Sequence, residues 1–290
     1  MQRSSCANCT SSRGVLIALS ALVSIGLAAA GRAAAADGYP GSGGDVANPI
    51  SDRFYLRIIL YFDKLQTQVR VDPTDTPNGG TTLGGESDLG LPASDRNGRL
   101  EMMIRMRERN RMRIDFFQEN RSASTQLPRT IIFGDQIFAA GSQVDTTLNW
   151  RMMGFTYTHA FLQTDHFELG AGLGVHFIDA DAIGNVPATF QHEEHSIAGA
   201  WPTLALDSMW VISRRFALTG RGQYFGTTIN GFNGSLADYH FDAQYRWKSP
   251  FAIGLGYEYM RAKFASSTFG NPGRFSMRSE GPEVFVRISF

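Results

Sequence analysis

The sequence predicts an all-β protein, folded as a transmembrane antiparallel up-and-down β-barrel of about ten strands, with eight or twelve as alternatives. Three observations support this prediction. Apolar residues recur at every second position along most of the chain, as in strands, whose side chains alternate between two faces. The connections between these segments alternate between short and long. Most charged residues lie on one strand face, opposite a face of large apolar residues.

The first three strands are predicted from this alternation. The first covers residues 53–71, where apolar residues occupy every second position from Phe54 to Phe62. The second begins at Arg99, and a tight turn at 108–110 leads into the third. Each of these strands has one face that is apolar enough to contact lipid.

The fourth strand, residues 144–162, has two conflicting phases. Trp150 and Met152 place the apolar residues on one face, whereas Phe155 and Tyr157 place them on the other. A β-bulge near Gly154 would reconcile the two phases, because one extra residue exchanges the faces of a strand.

Six further strands are predicted in the second half of the chain. The fifth follows a short turn at 163–165 and sets Phe167, Leu169 and Phe177 against Gly170, Gly172 and His176. The remaining strands are the sixth, ending near Ile212; the seventh, passing through Phe216 and Tyr224; the eighth, 237–247; the ninth, 251–260; and the last, 281–290. Exposed aromatic residues of these strands are predicted to form interfacial girdles at the strand ends: Tyr245, Trp247, Tyr257, Tyr259 and Phe290.

The lengths of the connections predict the orientation of the barrel. Only a few residues follow the second, fourth, sixth and eighth strands, whereas long connections follow the first, third, fifth and ninth. The long ones are 72–97, with a small hairpin at 81–89; 122–142, with a hairpin about Gly134; 182–194; and 266–275. Short turns face the periplasm and long loops face outside in transmembrane barrels, so both termini of a ten-stranded barrel are periplasmic.

The polar strand faces predict an ionic network in the lumen. A membrane barrel has its apolar residues outside and its polar residues inside, and charges in a narrow lumen persist only when they are paired. The predicted network consists of Arg57, Glu101, Arg105, Arg113, Asp115, Glu119, Glu168, Asp238, Asp242, Arg246, Glu258, Glu283 and Arg287. We expect neighbouring opposite charges to pair, such as Glu101 with Arg105 and Arg113 with Asp115, and to fill the lumen of so narrow a barrel.

The N-terminal segment predicts export. Arg3 and Arg13 precede an apolar run over 15–30, which small residues follow up to Ala36. This order is typical of a secretory signal peptide, and the run is too short for a spanning helix. The predicted organisation is a signal peptide at 1–36, a flexible segment at 37–52 and the barrel at 53–290. Both cysteines lie before the apolar run, so the mature chain has no disulfide.

The last strand, GPEVFVRISF, places Val284, Val286, Ile288 and Phe290 on one face. This ending resembles the C-terminal strand of Gram-negative outer-membrane β-barrel proteins, in which the terminal Phe and the alternating apolar residues are read by the assembly machinery. With TIIFGDQIFAAG, FELGAGLGVHF and AIGLGYEYM, the resemblance extends to a group of functionally uncharacterised outer-membrane barrels. It implies an outer-membrane location after export through the periplasm, and contact with outer-membrane lipid and lipopolysaccharide.

Several residue groups are candidates for a functional site. His192 to His195 read HEEH and would place two imidazoles near carboxylates, as a zinc site requires, but their spacing matches no metal signature. Asp179 and Asp181 suggest a hydrolase with His176, which lies on the other strand face. His159 and His240 are candidates for lipid deacylation, without supporting spacing. The glycines at 170–174 and 254–256 either thin the wall for a ligand or make room for Phe117, Tyr55 and Phe225; the second explanation is favoured.

The function predicted from the sequence is a non-enzymatic outer-membrane barrel with an envelope-structural, surface-contact or narrow-conduit role. The alternative is an outer-membrane hydrolase acting on envelope lipid or surface peptides. No catalytic residue, metal site or cofactor is assigned. The balanced charge, with 27 basic and 27 acidic residues, gives no argument for nucleic-acid binding, and a monomer is expected.

Overall fold

A computed structural model of the chain describes residues 49–76, 78–186, 191–229, 231–248, 250–267 and 272–290, without the side chains of 191–197 and 229. The predicted signal peptide and the lead-in up to residue 48 lie outside these residues. Within the described part, no helix has the length and apolarity needed to cross a membrane.

The described residues form thirteen strands, of which ten are long. The strands are β1 (Phe54–Val71), β2 (Leu83–Gly84), β3 (Ser94–Arg107), β4 (Asn110–Gln126), β5 (Ile131–Phe133), β6 (Gln136–Phe138), β7 (Gln143–Gln163), β8 (Phe167–Val186), β9 (Gln191–Val211), β10 (Phe216–Ile229), β11 (Phe232–Lys248), β12 (Phe251–Ser266) and β13 (Gly273–Ser289).

The ten long strands close into an antiparallel barrel. Each pairs with its neighbour in the sequence of long strands, and β13 returns to β1. This closing pair runs from Tyr55 opposite Ser289 to Val71 opposite Gly273. The predicted fold class and the predicted number of strands are therefore confirmed.

The connections separate into two ends of the barrel. The short-turn end carries the connections 108–109, 164–166, 212–215 and 249–250, and the loop end carries 72–93, 127–142, 187–190, 230–231 and 267–272. Only the first two loop-end connections are long. The long loop predicted at 182–194 is wrong, because β8 and β9 stay paired up to Val186 opposite Gln191. The connection predicted at 266–275 is likewise shortened to six residues by β12 and β13.

The alternation of faces follows the prediction. On β13, Glu283, Phe285 and Arg287 are buried inside the barrel, whereas Val286 is 49% exposed on the outside. The strands continue well beyond the roughly 9–11 residues that cross a bilayer. Tyr257 and Tyr259 therefore lie in the middle of β12, which continues to Ser266, and not near a strand end as predicted.

The fourth predicted strand, β7, has no bulge near Gly154. Trp150, Met152 and Gly154 all face the interior in one continuous phase. The register shifts instead between Ala160 and Leu162. The phase conflict in the sequence arises because the apolar residues change faces along β7. The interior face is apolar towards the loop end, up to Met152, whereas the exterior face is polar there and becomes apolar from Met153 towards the short-turn end.

The two long loops fold against each other at the loop end. Residues 131–138 form the hairpin predicted about Gly134, where φ is +61°. The hairpin predicted at 81–89 does not form, because β2 pairs with β1 instead. The Asp135 carboxylate accepts hydrogen bonds from Thr74, at 2.8 and 3.0 Å. Apolar residues from both loops and the adjoining strand ends share one buried cluster: Val69, Val71, Leu83, Leu89, Leu127, Ile131, Phe133, Phe138, Val144 and Val186.

Candidate functional site

The interior of the barrel is the candidate site. All thirteen side chains of the predicted network lie on interior strand positions, and none is more than 6% exposed. Such burial follows from the alternation of each strand, which directs every second side chain into the lumen. Charges at this depth require partners, because leaving one unpaired in the interior is costly.

The ion pairs cross the lumen. Arg57 on β1 contacts Asp242 on β11 at 3.0 Å and Glu283 on β13 at 2.6 Å. Arg113 on β4 contacts Asp207 on β9 at 2.7 Å. The contacts of Arg57 with Asp242 and of Arg113 with Asp207 each join strands three places apart in the wall, whereas Glu283 lies on the strand next to β1.

The predicted pairs between near neighbours are wrong. Glu101 pairs with Arg221 on β10, and Arg105 lies 3.4 Å from Glu168 on β8. Glu101 and Asp115 stand directly opposite each other on β3 and β4. Two carboxylates side by side cannot satisfy each other, so each needs a guanidinium group. That of Glu101 comes from across the lumen, whereas Asp115 lies 3.7 Å from Arg99 on the adjacent strand β3.

A second cluster is centred on Arg99, which the sequence analysis missed. Its guanidinium lies 3.0 Å from Asp238 and 3.5 Å from Glu258, and donates a hydrogen bond to Nε2 of His240. His240 also places Nδ1 3.3 Å from Glu283. This cluster therefore joins the network that contains Arg57.

The same cluster has the ligand types of a metal centre. Asp238, His240 and Glu258 bring three ligand atoms within 4.8 Å of one another. The guanidinium of Arg99 already contacts all three side chains, and one cation cannot share so small a volume with another. The arrangement fits a buried arginine, and it does not fit an additional metal ion.

Asp52 closes the network at the short-turn end. Its carboxylate contacts Arg246 at 2.6 Å and Arg287 at 2.7 Å, and the residue is 1% exposed. The sequence pattern places Asp52 in the flexible lead-in, because no periodicity covers it. The signal that was present lay in Arg246 and Arg287, whose nearest carboxylates on the same polar faces, Asp242 and Glu283, are four residues away along their strands.

Little free space remains among these charges. A cavity of about 10 Å³ is lined by residues that include Glu101, Arg113, Arg221 and His240. The space for solvent inside it amounts to about one water molecule. The ion pairs therefore occupy most of the cross-section at this level.

An apolar layer fills the lumen towards the loop end. Trp150 stacks on Phe275 at 5.7 Å between ring centroids, and Trp201 stacks on Phe232 at 5.0 Å. Phe264 joins the two stacks, with its ring centroid 5.1 Å from that of Trp201. The interior thus consists of an ionic layer followed by an aromatic layer.

The hydrolase candidates do not come together. Asp179 and Asp181 lie on the exterior of β8, where both contact Arg151, at 3.0 and 3.3 Å. His176 is fully buried inside the barrel. His159 is exposed and hydrogen-bonds Asn110 at 2.7 Å. The HEEH residues belong to β9 and not to a loop, and their side chains lie outside the described part.

The glycine rows do make room for side chains, although not for those predicted. A Cβ at Gly254 would lie 2.1 Å from the Phe285 ring, and one at Gly256 would lie 2.7 Å from Asp242 and 2.8 Å from Glu283. A Cβ at Gly174 would meet Thr203 at 2.6 Å. The glycines therefore admit the ionic network and Phe285, and not Phe117, Tyr55 and Phe225.

A closed barrel with an apolar exterior band and a charged, filled interior defines the class of outer-membrane β-barrel proteins. Neither a protein family model nor a curated protein sequence matches the chain. Solved structures with a similar fold include the outer membrane protease OmpT from Escherichia coli, with 10% identity, coverage of 86% of this chain and 100% of that chain, and a TM-score of 0.49. The attachment invasion locus protein Ail of Yersinia pestis has 14% identity, coverage of 80% and 99%, and a TM-score of 0.34. The Pseudomonas putida toluene transporter TodX has 8% identity, coverage of 87% and 95%, and a TM-score of 0.33.

Proposed function

We propose that the chain is a sealed, non-enzymatic outer-membrane barrel that presents a folded cap at the cell surface. The observation that carries this proposal is the set of ion pairs that cross the lumen, such as Arg57 with Asp242 and Arg113 with Asp207. A charge in a narrow, low-dielectric interior is held by its partners, and the network resists displacement by passing solutes. The envelope-structural and surface-contact roles therefore have more support than the narrow-conduit role.

The cap supports the surface-contact role. The connections 72–93 and 127–142 are held together by a shared apolar cluster and by backbone bonds such as Thr81 N–H to the Ile132 carbonyl, at 2.8 Å. Loops that are tied in this way present a fixed surface, which lowers the entropy lost on binding a partner. In the proposed orientation, the loop end faces outside and the short-turn end faces the periplasm.

The proposal extends to biogenesis and assembly state. We propose that the signal peptide is cleaved during export and that the outward face of β13, with Val284, Val286, Ile288 and the terminal Phe290, is read by the assembly machinery. All ten long strands have partners on both sides within one chain. A closed barrel leaves no strand edge to pair with a second copy, which supports a monomer.

The hydrolase alternative has less support. General acid–base chemistry requires groups within hydrogen-bond reach of a substrate. In the described residues, the candidate carboxylates of β8 are bound by Arg151 on the exterior, and the Asp238 and His240 pair is buried in the ionic layer.

Liposome swelling tests the proposal. The mature chain is reconstituted in liposomes and diluted into isotonic solutions of sugars of increasing size, with a general porin as the positive control. We expect no swelling above that of protein-free liposomes. Swelling that falls with the size of the sugar would replace the sealed barrel with a conduit.

A further inference from the structure

The exterior of the barrel changes abruptly from apolar to basic along β12. Leu255 is 66% exposed and Tyr257 is 50% exposed on the outward face, and Tyr259 follows. The next two outward residues towards the loop end are Arg261 and Lys263, both exposed. The tyrosines therefore mark the edge of the apolar band, and the basic groups lie directly beyond it.

The neighbouring strand β13 adds more arginine to the same place. Arg278 places its guanidinium 5.3 Å from the centre of the Tyr259 ring, and it contacts Glu280 at 2.7 Å. Arg278 also stands directly opposite Arg261 across the strand pair. The Arg278 guanidinium thus lies against the Tyr259 ring, and Arg261 occupies the neighbouring position on β12.

Like charges opposite each other recur on this face. Arg274 of β13 is opposite Arg70 of β1, and Arg70 is bound to Asp72 at 3.0 Å. Like charges directly across a strand pair destabilise a sheet. No acidic partner contacts Arg261, Lys263 or Arg274 among the residues that the structure describes. An anion from outside the chain would offset this repulsion.

Exterior charges on the opposite side of the barrel are paired. On the exterior of β7 and β8, Arg151 contacts both Asp179 and Asp181, so one positive charge faces two negative ones. Among the side chains that the structure describes, the outward basic residues of this region lie on β12, β13 and β1, which are consecutive in the closed sheet. Their grouping on neighbouring strands favours a single binding site.

We propose that this basic face binds the phosphate groups of an outer-leaflet glycolipid such as lipopolysaccharide. It is called the β12–β13 basic face and consists of Arg261, Lys263, Arg274 and Arg278. The proposal rests on the orientation given under the proposed function, in which the loop end faces outside. Guanidinium groups match the geometry of phosphate oxygens bidentately, and one phosphate between Arg261 and Arg278 would neutralise their repulsion. Tyr257 and Tyr259 lie at the level where head groups meet acyl chains.

The test uses the whole mature barrel in detergent micelles, titrated with diphosphorylated lipid A and followed by native mass spectrometry. The triple variant Arg261→Ala, Lys263→Ala and Arg278→Ala is compared with Arg107→Ala, Arg109→Ala and Arg214→Ala, which removes the same charge at the short-turn end. We expect the first variant to bind lipid A at least about tenfold more weakly, and the second to bind as the wild type does.

Two further arms identify the ligand. Lipid A without phosphate groups is expected to bind the wild type as weakly as phosphorylated lipid A binds the first triple variant. Equal binding of both lipids, or equal binding by both triple variants, would overturn the proposal. Tighter binding of a soluble sulfated glycan than of lipid A would also overturn it, and would assign the face to a surface polysaccharide. None of these readouts depends on conductance, so a conducting barrel could still bind lipid A here.

Discussion

The carboxylate of Asp52 lies 2.7 Å from the guanidinium of Arg287, a contact that joins a residue two positions before the first barrel strand to the last barrel strand. Arg246 on β11 shares the same carboxylate oxygen, at 2.6 Å. One acidic side chain thus holds two buried arginines at the short-turn end of the seam where β1 and β13 meet.

Removing the charge of Asp52 is expected to destabilise the barrel. In Asp52→Asn, two buried guanidinium groups lose their common anion, and breaking a buried pair typically costs about 3–5 kcal/mol. The free energy of unfolding is measured in detergent micelles by urea titration followed by tryptophan fluorescence. The matched control is Asp75→Asn, which changes an exposed carboxylate of the first loop. An unchanged urea midpoint in Asp52→Asn would contradict a structural role for this contact.

The contact between Arg113 and Asp207 predicts a coupling free energy that a double-mutant cycle can measure. Arg113→Ala leaves Asp207 buried without its partner at 2.7 Å, so a loss of a few kcal/mol is expected, about 3–5 kcal/mol for a typical buried pair. Removing both charges in Arg113→Ala with Asp207→Ala should recover part of that loss, because no uncompensated charge remains. The same urea titration measures all three variants, and Arg109→Ala in an exposed turn serves as the control. Simple additivity of the two single losses would show that the pair is not coupled.

The glycine rows predict that two otherwise similar substitutions differ in their effect on the stability of the barrel. In Gly256→Ala, the new methyl group would meet Asp242 at 2.7 Å and Glu283 at 2.8 Å, both of which hold Arg57. Overpacking of this kind costs about 1–3 kcal/mol. Gly184→Ala is the control, because nothing lies within 4 Å of its Cβ position. Equal urea midpoints for the two variants would mean that Gly256 does not make room for the network.

The fold could be predicted from the sequence because its main determinant is local. Period-two alternation assigns a strand residue to the inside or the outside, and the assignments made from it held on strands such as β1, β8 and β13, but not on β7, where no bulge forms near Gly154. Loop lengths were less predictable, because the pairing of β8 with β9 up to Val186 depends on the partner strand and leaves no sign in the sequence of either strand alone.

The partners in the ionic network could not be predicted, for a related reason. The sequence shows which charges face the lumen, but the contact of Arg113 with Asp207 depends on how the sheet curls on itself. Sequence neighbours such as Glu101 and Arg105 point into the lumen from the same strand. Their ion-pair partners lie on β10 and β8, respectively. Arg99 was missed because it is the first residue of the second predicted strand, and the alternation of faces there is counted from Leu100 and Glu101.

The orientation of the barrel predicts which segments are accessible on intact cells. An epitope tag inserted at Gly141, where a glycine with φ of +81° has open space around it, should be cut by external protease. A tag in the turn at 249–250 should be cut only after the outer membrane is permeabilised. Immunoblotting before and after permeabilisation measures both. The reverse pattern would place the short-turn end outside.

Single-channel recording in planar bilayers tests the sealed lumen most directly. The wild type is reconstituted at low protein density, and current is recorded at both polarities, beside Arg113→Ala and a general porin. The cross-lumen pairs predict no steady openings by the wild type, with any brief openings confined to Arg113→Ala, in which the network is broken. Large, stable, ion-selective openings by the wild type would contradict the sealed barrel.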